Sequence, residues 1–177
     1  MVPDNFLQEK QTELTIPQLF TKKRNIKEII LHCSATAEGK NFKASDIDKW
    51  HRAQGWNGIG YNYVIDLDGT IEIGRNIDIS GAHAGAPHNS ISMGICYIGG
   101  CAKDGKTAKD TRTAEQKISL YKIVHDLLLI YPTAKVICHN QLAKKACPSF
   151  KIDTFQKEYH LWLQVNKLKG VENFKLN

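Results

Sequence analysis

The chain has 177 residues, 24 Lys and Arg against 18 Asp and Glu for a formal charge of +6, and an apolar share of 42%. That length suits one domain with a substantial core and is short for two. The longest apolar run, IVHDLLLIYP, is interrupted by Asp126, which excludes a bilayer span, and the N-terminus MVPDNFLQEKQTELTIPQLF lacks the basic and apolar regions of a secretory signal, so the chain is expected to be cytoplasmic as synthesised.

In chain order, residues 1–25 read as an N-terminal arm with scattered apolar residues and a basic KKR cluster. IKEIILHCSA begins with exposed Lys27 and Glu28 and turns wholly apolar, as a central strand does. SDIDKWHRAQG predicts a short helix capped by Ser45, with Asp48 at the capping-box offset, ending at Gly55. GYNYVIDLDGTIEIGR is two alternating strands about the turn dipeptide Asp68-Gly69. GAHAGAPHNS reads as a loop, ISMGICYIGG as a buried strand, and CAKDGKTAKDTR as a polar loop. Thr113 and Gln116 open a helix that runs to a stop at Pro132. A strand over 134–138 and a terminal amphipathic helix, DTFQKEYHLWLQVNKL, complete the order. Strand, helix, hairpin, strand, helix, strand predicts an α/β fold: a single domain with a mixed central sheet flanked by helices.

The five cysteines (33, 96, 101, 138, 147) include no CxxC pair, which favours free thiols over a disulfide framework. Cys33, Cys96 and Cys138 lie among β-branched residues, where cysteine serves as a small buried apolar group; Cys147 lies in a polar run, ICHNQLAKKACPSF. From His139 to the C-terminus, seven lysines face three acids, a local charge of +4. A basic end suits an anionic polymer and equally a solvated surface, and no nucleic-acid-binding motif accompanies it, so no nucleic-acid partner is expected.

His32 closes the first strand and His139 the last. If these strands are parallel neighbours, both imidazoles emerge at the carboxyl edge of the sheet, and Cys147 can fold back onto them from the following loop. Two imidazoles, one thiolate and an open fourth position make a hydrolytic zinc site at one edge of the sheet. On spacing alone, hydrogen-bonded structural histidines remain the competing explanation.

LHCSAT, WHRAQGWNGIGYNYVI, DGTIEIGR, GAHAG, SISMGICYIGG and HNQLAKKACPSF occur in the order found in zinc-dependent N-acetylmuramoyl-L-alanine amidases. Over roughly residues 26–153 the chain resembles the phage lysozyme-type endolysins, which share a fold with peptidoglycan recognition proteins. The resemblance implies zinc ligands at His32, His139 and Cys147, and catalytic roles for Tyr61 and Lys145. It also implies hydrolysis of the amide between the lactyl group of N-acetylmuramic acid and the L-alanine of the stem peptide. Bacterial peptidoglycan is the implied partner, and a phage or prophage endolysin that acts on the wall after release is the implied setting. A wall-recycling cytoplasmic amidase and a non-catalytic peptidoglycan-binding module are the alternatives, and the presence of Cys147 beside a lysine favours the enzyme.

This places the catalytic domain at 26–153 and a C-terminal helix packed on it at 154–177, in a chain expected to be monomeric. His83 and Asn89 are expected to line the substrate groove. His51, His88, His125 and His160 read as structural or surface residues, Trp50 and Trp56 as core or groove wall, and Lys144 as the substitute for Lys145 if the loop register shifts. Two departures stand out. Many relatives read His-Arg-Asp where this chain has His139-Asn140-Gln141, and Cys96 stands where some branches carry a proposed general base, leaving the proton-transfer step unassigned.

Overall fold

The computed structural model describes residues 19–168. Its elements are β1 (Glu28–Cys33), β2 (Thr36–Ala37), α1 (Ala44–Ala53), β3 (Tyr63–Ile65), β4 (Ile71–Ile73), α2 (His88–Ile91), β5 (Ser92–Tyr97), β6 (Gly100–Cys101), α3 (Ala114–Ile130), β7 (Lys135–Cys138), a 3-10 turn (His139–Gln141) and α4 (Ile152–Val165). The main sheet has the order β4-β3-β5-β1-β7. Only β4 runs antiparallel to its neighbour; β3, β5, β1 and β7 are parallel. This is the mixed α/β sheet expected from the element order. The short β2 and β6 form a separate parallel pair.

Period-2 alternation sends the two faces of the sheet to different partners. Ile29, Leu31 and Cys33 of β1, with Tyr63, Ile65, Met93, Ile95 and Tyr97, join the large core beneath α3 and α4. Val64 and Cys96 face the smaller cluster, where Ala44 and Ile47 of α1 pack with Ile59 and Ile98. His32, between Leu31 and Cys33, therefore leaves the α3/α4 core and points to the other side.

Thr113 Oγ1 accepts the Gln116 N–H, and Gln116 Oε1 accepts the Thr113 N–H, both at 3.0 Å, so α3 starts on the expected capping box. The Gln116 amide goes further and donates to the carbonyls of Ile65 (3.1 Å) and Ile98 (2.9 Å), tying the helix start to the sheet. The start of α1 differs from expectation. Its N-cap is Lys43, whose N–H is accepted by the Asp46 carboxylate at 3.0 Å. Asp48 is committed elsewhere, accepting from the Ile59 N–H (2.8 Å) and the Arg52 guanidinium (2.7 Å). At the hairpin, Gly69 has φ +83, and a Cβ there would come 2.9 Å from the Glu115 carbonyl oxygen, so both conformation and space call for glycine.

α4 begins at Ile152 and packs through Phe155, Tyr159 and Leu163, with Trp162 against the same core. Lys157 and Lys167 are exposed. Residues 1–18 of the expected arm at 1–25, and residues 169–177, lie outside the described residues; in the rest of the arm, Thr21 and Arg24 are tied down. Thr21 donates to Asp78 at 2.7 Å, and Arg24 donates to the carbonyls of Ile77 and Asn89 at 2.9 and 3.0 Å.

Candidate active site

β1 and β7 are parallel neighbours with Leu31 opposite Cys138, so His32 and His139 each stand one residue beyond this last pair. Their ring centroids are 4.5 Å apart, and the residues are 1% and 8% exposed. Cys147 arrives on the loop between the 3-10 turn and α4. The Cys33 N–H donates to its Sγ at 3.3 Å, and Sγ lies 3.6 Å from His32 Nδ1. One ligand atom from each of His32, His139 and Cys147 lies within 4.8 Å of the others.

The loop is held at several points. The Leu142 and Ala143 N–H groups donate to the His139 carbonyl, the Tyr97 hydroxyl to the Pro148 carbonyl at 2.8 Å, and the Ser149 hydroxyl to the Gly100 carbonyl at 2.7 Å. The His-Asn-Gln variation is accommodated by direct bonds: Gln141 Oε1 accepts the Cys138 N–H, and Asn140 Nδ2 donates to the Phe150 carbonyl, both at 2.9 Å.

The donor set fits a cation. His139 Nδ1 is buried without a hydrogen-bond partner, an arrangement that costs free energy unless something occupies its lone pair or its proton. Burial, and then the neighbouring His83, His139 and Lys145, hold the His32 pKa well below 6.5; burial and Lys145 lower that of His139. Both rings are thus neutral lone-pair donors at physiological pH, as metal ligands must be. The contact with Cys33 and burial push the Cys147 thiol up, so a nearby positive charge is needed to favour its thiolate.

A groove of about 440 Å³ opens beside this cluster, lined by Trp56, His83, Asn89, His139 and Lys145 among others. Of the two adjacent lysines, Lys145 lines it. Trp56, 43% exposed, forms part of the wall, whereas Trp50 packs edge-on against Phe42 beside α1. Tyr61 lies against His32, ring centroids 5.1 Å apart. Burial raises its hydroxyl pKa well above 10, so the phenol remains a proton donor throughout the neutral range. Its backbone is fixed on both sides: the Gly60 N–H donates to His51 Nδ1 at 3.0 Å and the Arg75 N–H to the Tyr61 carbonyl at 2.7 Å. A Cβ on Gly60 would stand 2.1 Å from the Ala82 carbonyl oxygen, so that approach requires glycine.

His83 Nδ1 lies 2.9 Å from His32 Nε2, and burial lowers the His83 pKa to about 3. Asn89 Oδ1 accepts both the His83 and Ala84 N–H groups at 2.9 Å, fastening the loop that carries the histidine. Two supporting residues carried no signal in the sequence. His51, expected only as a structural or surface group, accepts from the strand-entry backbone; buried Asn62 bridges strands by accepting the Gly94 N–H at 2.9 Å and donating to the Arg75 carbonyl at 3.2 Å. Cys96 is fully buried beside His32 in the register, a thiol with no solvent access.

The sequence model of the N-acetylmuramoyl-L-alanine amidase family matches residues 22–150. The endolysin of Enterobacteria phage K11 is 37% identical over 138 residues, covering 78% of this chain and 90% of that protein. The endolysin of Escherichia phage T7 is 37% identical over 143 residues, covering 80% and 93%. Among solved structures, the N-acetylmuramoyl-L-alanine amidase LysC from Clostridium intestinale matches with a TM-score of 0.64 and 26% identity over 83% of this chain and 89% of that one. A sheet edge that gathers two histidines and a cysteine beside an open groove is thus found in a chain that belongs to the N-acetylmuramoyl-L-alanine amidase family, alongside the phage endolysins.

Proposed function

We propose that this chain is a zinc-dependent endolysin that cleaves the amide between N-acetylmuramic acid and L-alanine in bacterial peptidoglycan, with zinc held by His32, His139 and Cys147. The observation that carries this reading is the convergence of those three donors beside a groove that His139 lines together with Lys145. Two neutral imidazoles with a softer thiolate match zinc better than magnesium or calcium. Zinc bound there would supply Lewis acidity toward a water molecule and the scissile carbonyl.

The chain's own residues do the rest. The Tyr61 phenol, kept protonated by burial, donates a hydrogen bond to the oxygen on which negative charge develops. The Lys145 ammonium, facing the same groove, complements that charge. Trp56, His83 and Asn89 form the wall along which the glycan and stem peptide lie, with Asn89 holding the 83–84 backbone in shape. In this reading the enzyme accumulates in the cytoplasm and reaches the wall after release, as a monomer.

Digestion of purified cell walls followed by mass spectrometry of the soluble fragments tests the bond. Stem peptides with free L-alanine amino termini, together with glycan strands bearing free lactyl carboxyls, are expected. Release of new reducing-end sugars with intact lactyl–peptide amides would contradict it.

A further inference from the structure

His83 is set into the fold more tightly than a groove wall requires. A Cβ on Gly81 would come 2.5 Å from His83 Cδ2, and one on Gly94 would come 2.7 Å from the same atom. Two positions flanking the ring are therefore without side chains where the imidazole lies. Its backbone N–H is held by Asn89 Oδ1 at 2.9 Å. Both ring nitrogens are also engaged: Nδ1 lies 2.9 Å from His32 Nε2, and Nε2 lies 3.4 Å from Ser92 Oγ.

The proton on each link follows from the link before it. Ser92 Oγ lies 2.7 Å from the His88 carbonyl oxygen, which can only accept, so the single hydroxyl proton of Ser92 goes there. Ser92 Oγ then accepts from His83, which places the proton of a neutral His83 on Nε2 and its lone pair on Nδ1. That lone pair accepts from His32, so His32 carries its proton on Nε2. The remaining lone pair of His32 is on Nδ1, the atom 3.6 Å from Cys147 Sγ.

We infer that His83 is a positioning residue for His32: through the series His88 carbonyl, Ser92, His83, it fixes the His32 tautomer and ring so that Nδ1 is the metal-ligating atom. Left alone, a neutral imidazole exchanges between two tautomers, and the one protonated on Nδ1 cannot ligate there. The role assigned to His83 rests on the metal reading of the preceding subsection, while the tautomer itself does not.

The test compares wild type, His83→Leu and His83→Asn. Leucine removes the acceptor at the His32 end, whereas the asparagine Oδ1 can replace Nδ1. In metal-free protein, long-range 1H–15N spectra of the imidazoles should show wild-type His32 protonated on Nε2. The same state is expected in His83→Asn, and a mixture of tautomers in His83→Leu. Competition against a chromophoric chelator should show zinc binding weakened roughly 10–100-fold in His83→Leu and largely restored in His83→Asn. A role confined to packing would lower the melting temperature of both variants and leave the tautomer unchanged. Wild-type His32 protonated on Nδ1 overturns the inference whether or not either variant folds. So does His83→Leu with wild-type zinc affinity and an Nε2-protonated His32. Wild type that shows the Nε2 proton but binds no zinc overturns the metal reading and the ligand-positioning role with it, leaving the tautomer assignment standing.

Discussion

The backbone N–H of Cys33 donates to Sγ of Cys147 across 3.3 Å, so the last residue of β1 receives a thiol carried by a loop 114 residues later in the chain. The same strand supplies His32 one residue earlier, which makes β1 the common support of two of the three donors.

From this, Cys147→Ser should separate metal binding from folding. A serine hydroxyl can still accept the Cys33 N–H, so the melting temperature should stay close to wild type. Zinc content measured by atomic spectroscopy should fall from about one ion per chain to near none, with wall-lytic activity falling in parallel. A serine variant that retained a full zinc complement would remove Cys147 from the ligand set.

Tyr61 offers a cleaner subtraction. Tyr61→Phe keeps the ring beside His32 and deletes only the hydroxyl. If that hydroxyl acts in the transition state, kcat should fall by about 10²-fold or more on a soluble muropeptide, with KM and melting temperature nearly unchanged. Normal turnover in this variant would return Tyr61 to a packing role.

Acid should destabilise the metal-free protein earlier than its carboxylates alone would. Burial lowers the pKa values of His32, His51, His83, His125 and His139 from 6.5, that of His83 to about 3. The unfolded chain therefore binds protons that the folded chain excludes. Stability is full above the unfolded value of 6.5 and is lost as pH falls toward each folded value. His83 alone should contribute a loss of about 1.4 kcal/mol per pH unit below that point. Urea denaturation of the metal-free protein at pH 7.5 and 5.5 measures this, and equal stabilities at the two values would contradict it.

Arg112 ties the loop after β6 to α4 from a fully buried position. It donates to Asp110 at 2.7 and 2.9 Å and to Glu158 at 2.9 Å, with its guanidinium 3.8 Å above the Phe150 ring. Arg112→Ala takes the guanidinium from both Asp110 and Glu158, which retains Lys117 at 2.6 Å and the Tyr121 hydroxyl at 3.0 Å, and should destabilise the fold by about 2 kcal/mol in denaturant titration. Phe150 lies three residues after Cys147, so weaker zinc retention should accompany the loss. A change below about 1 kcal/mol would show that water replaces the guanidinium at little cost.

Much of the fold was legible because its signals are local. The apolar runs over 29–33 and 92–97 mark buried strands, and Thr113 with Gln116 marks the start of α3. The start of α1 was misplaced because its cap runs backward: Lys43 has no side-chain acceptor, Asp46 reaches back to it, and Asp48, which looked like the capping partner, holds Ile59. The two-residue β2 and β6 and the four-residue α2 are too short to carry a period. The His32 and His139 positions could be reasoned from strand ends, since parallel pairing delivers both to one edge. The contact between His32 and His83 could not, because it joins rings 51 residues apart through a slot made by two absent side chains.

Metal removal and return, read on the bond itself, tests the central claim most directly. Protein stripped with a chelator, verified metal-free and then titrated with zinc should release free L-alanine amino termini from purified walls in proportion to zinc bound, saturating near one ion per chain. Undiminished release by the verified metal-free protein would contradict the account.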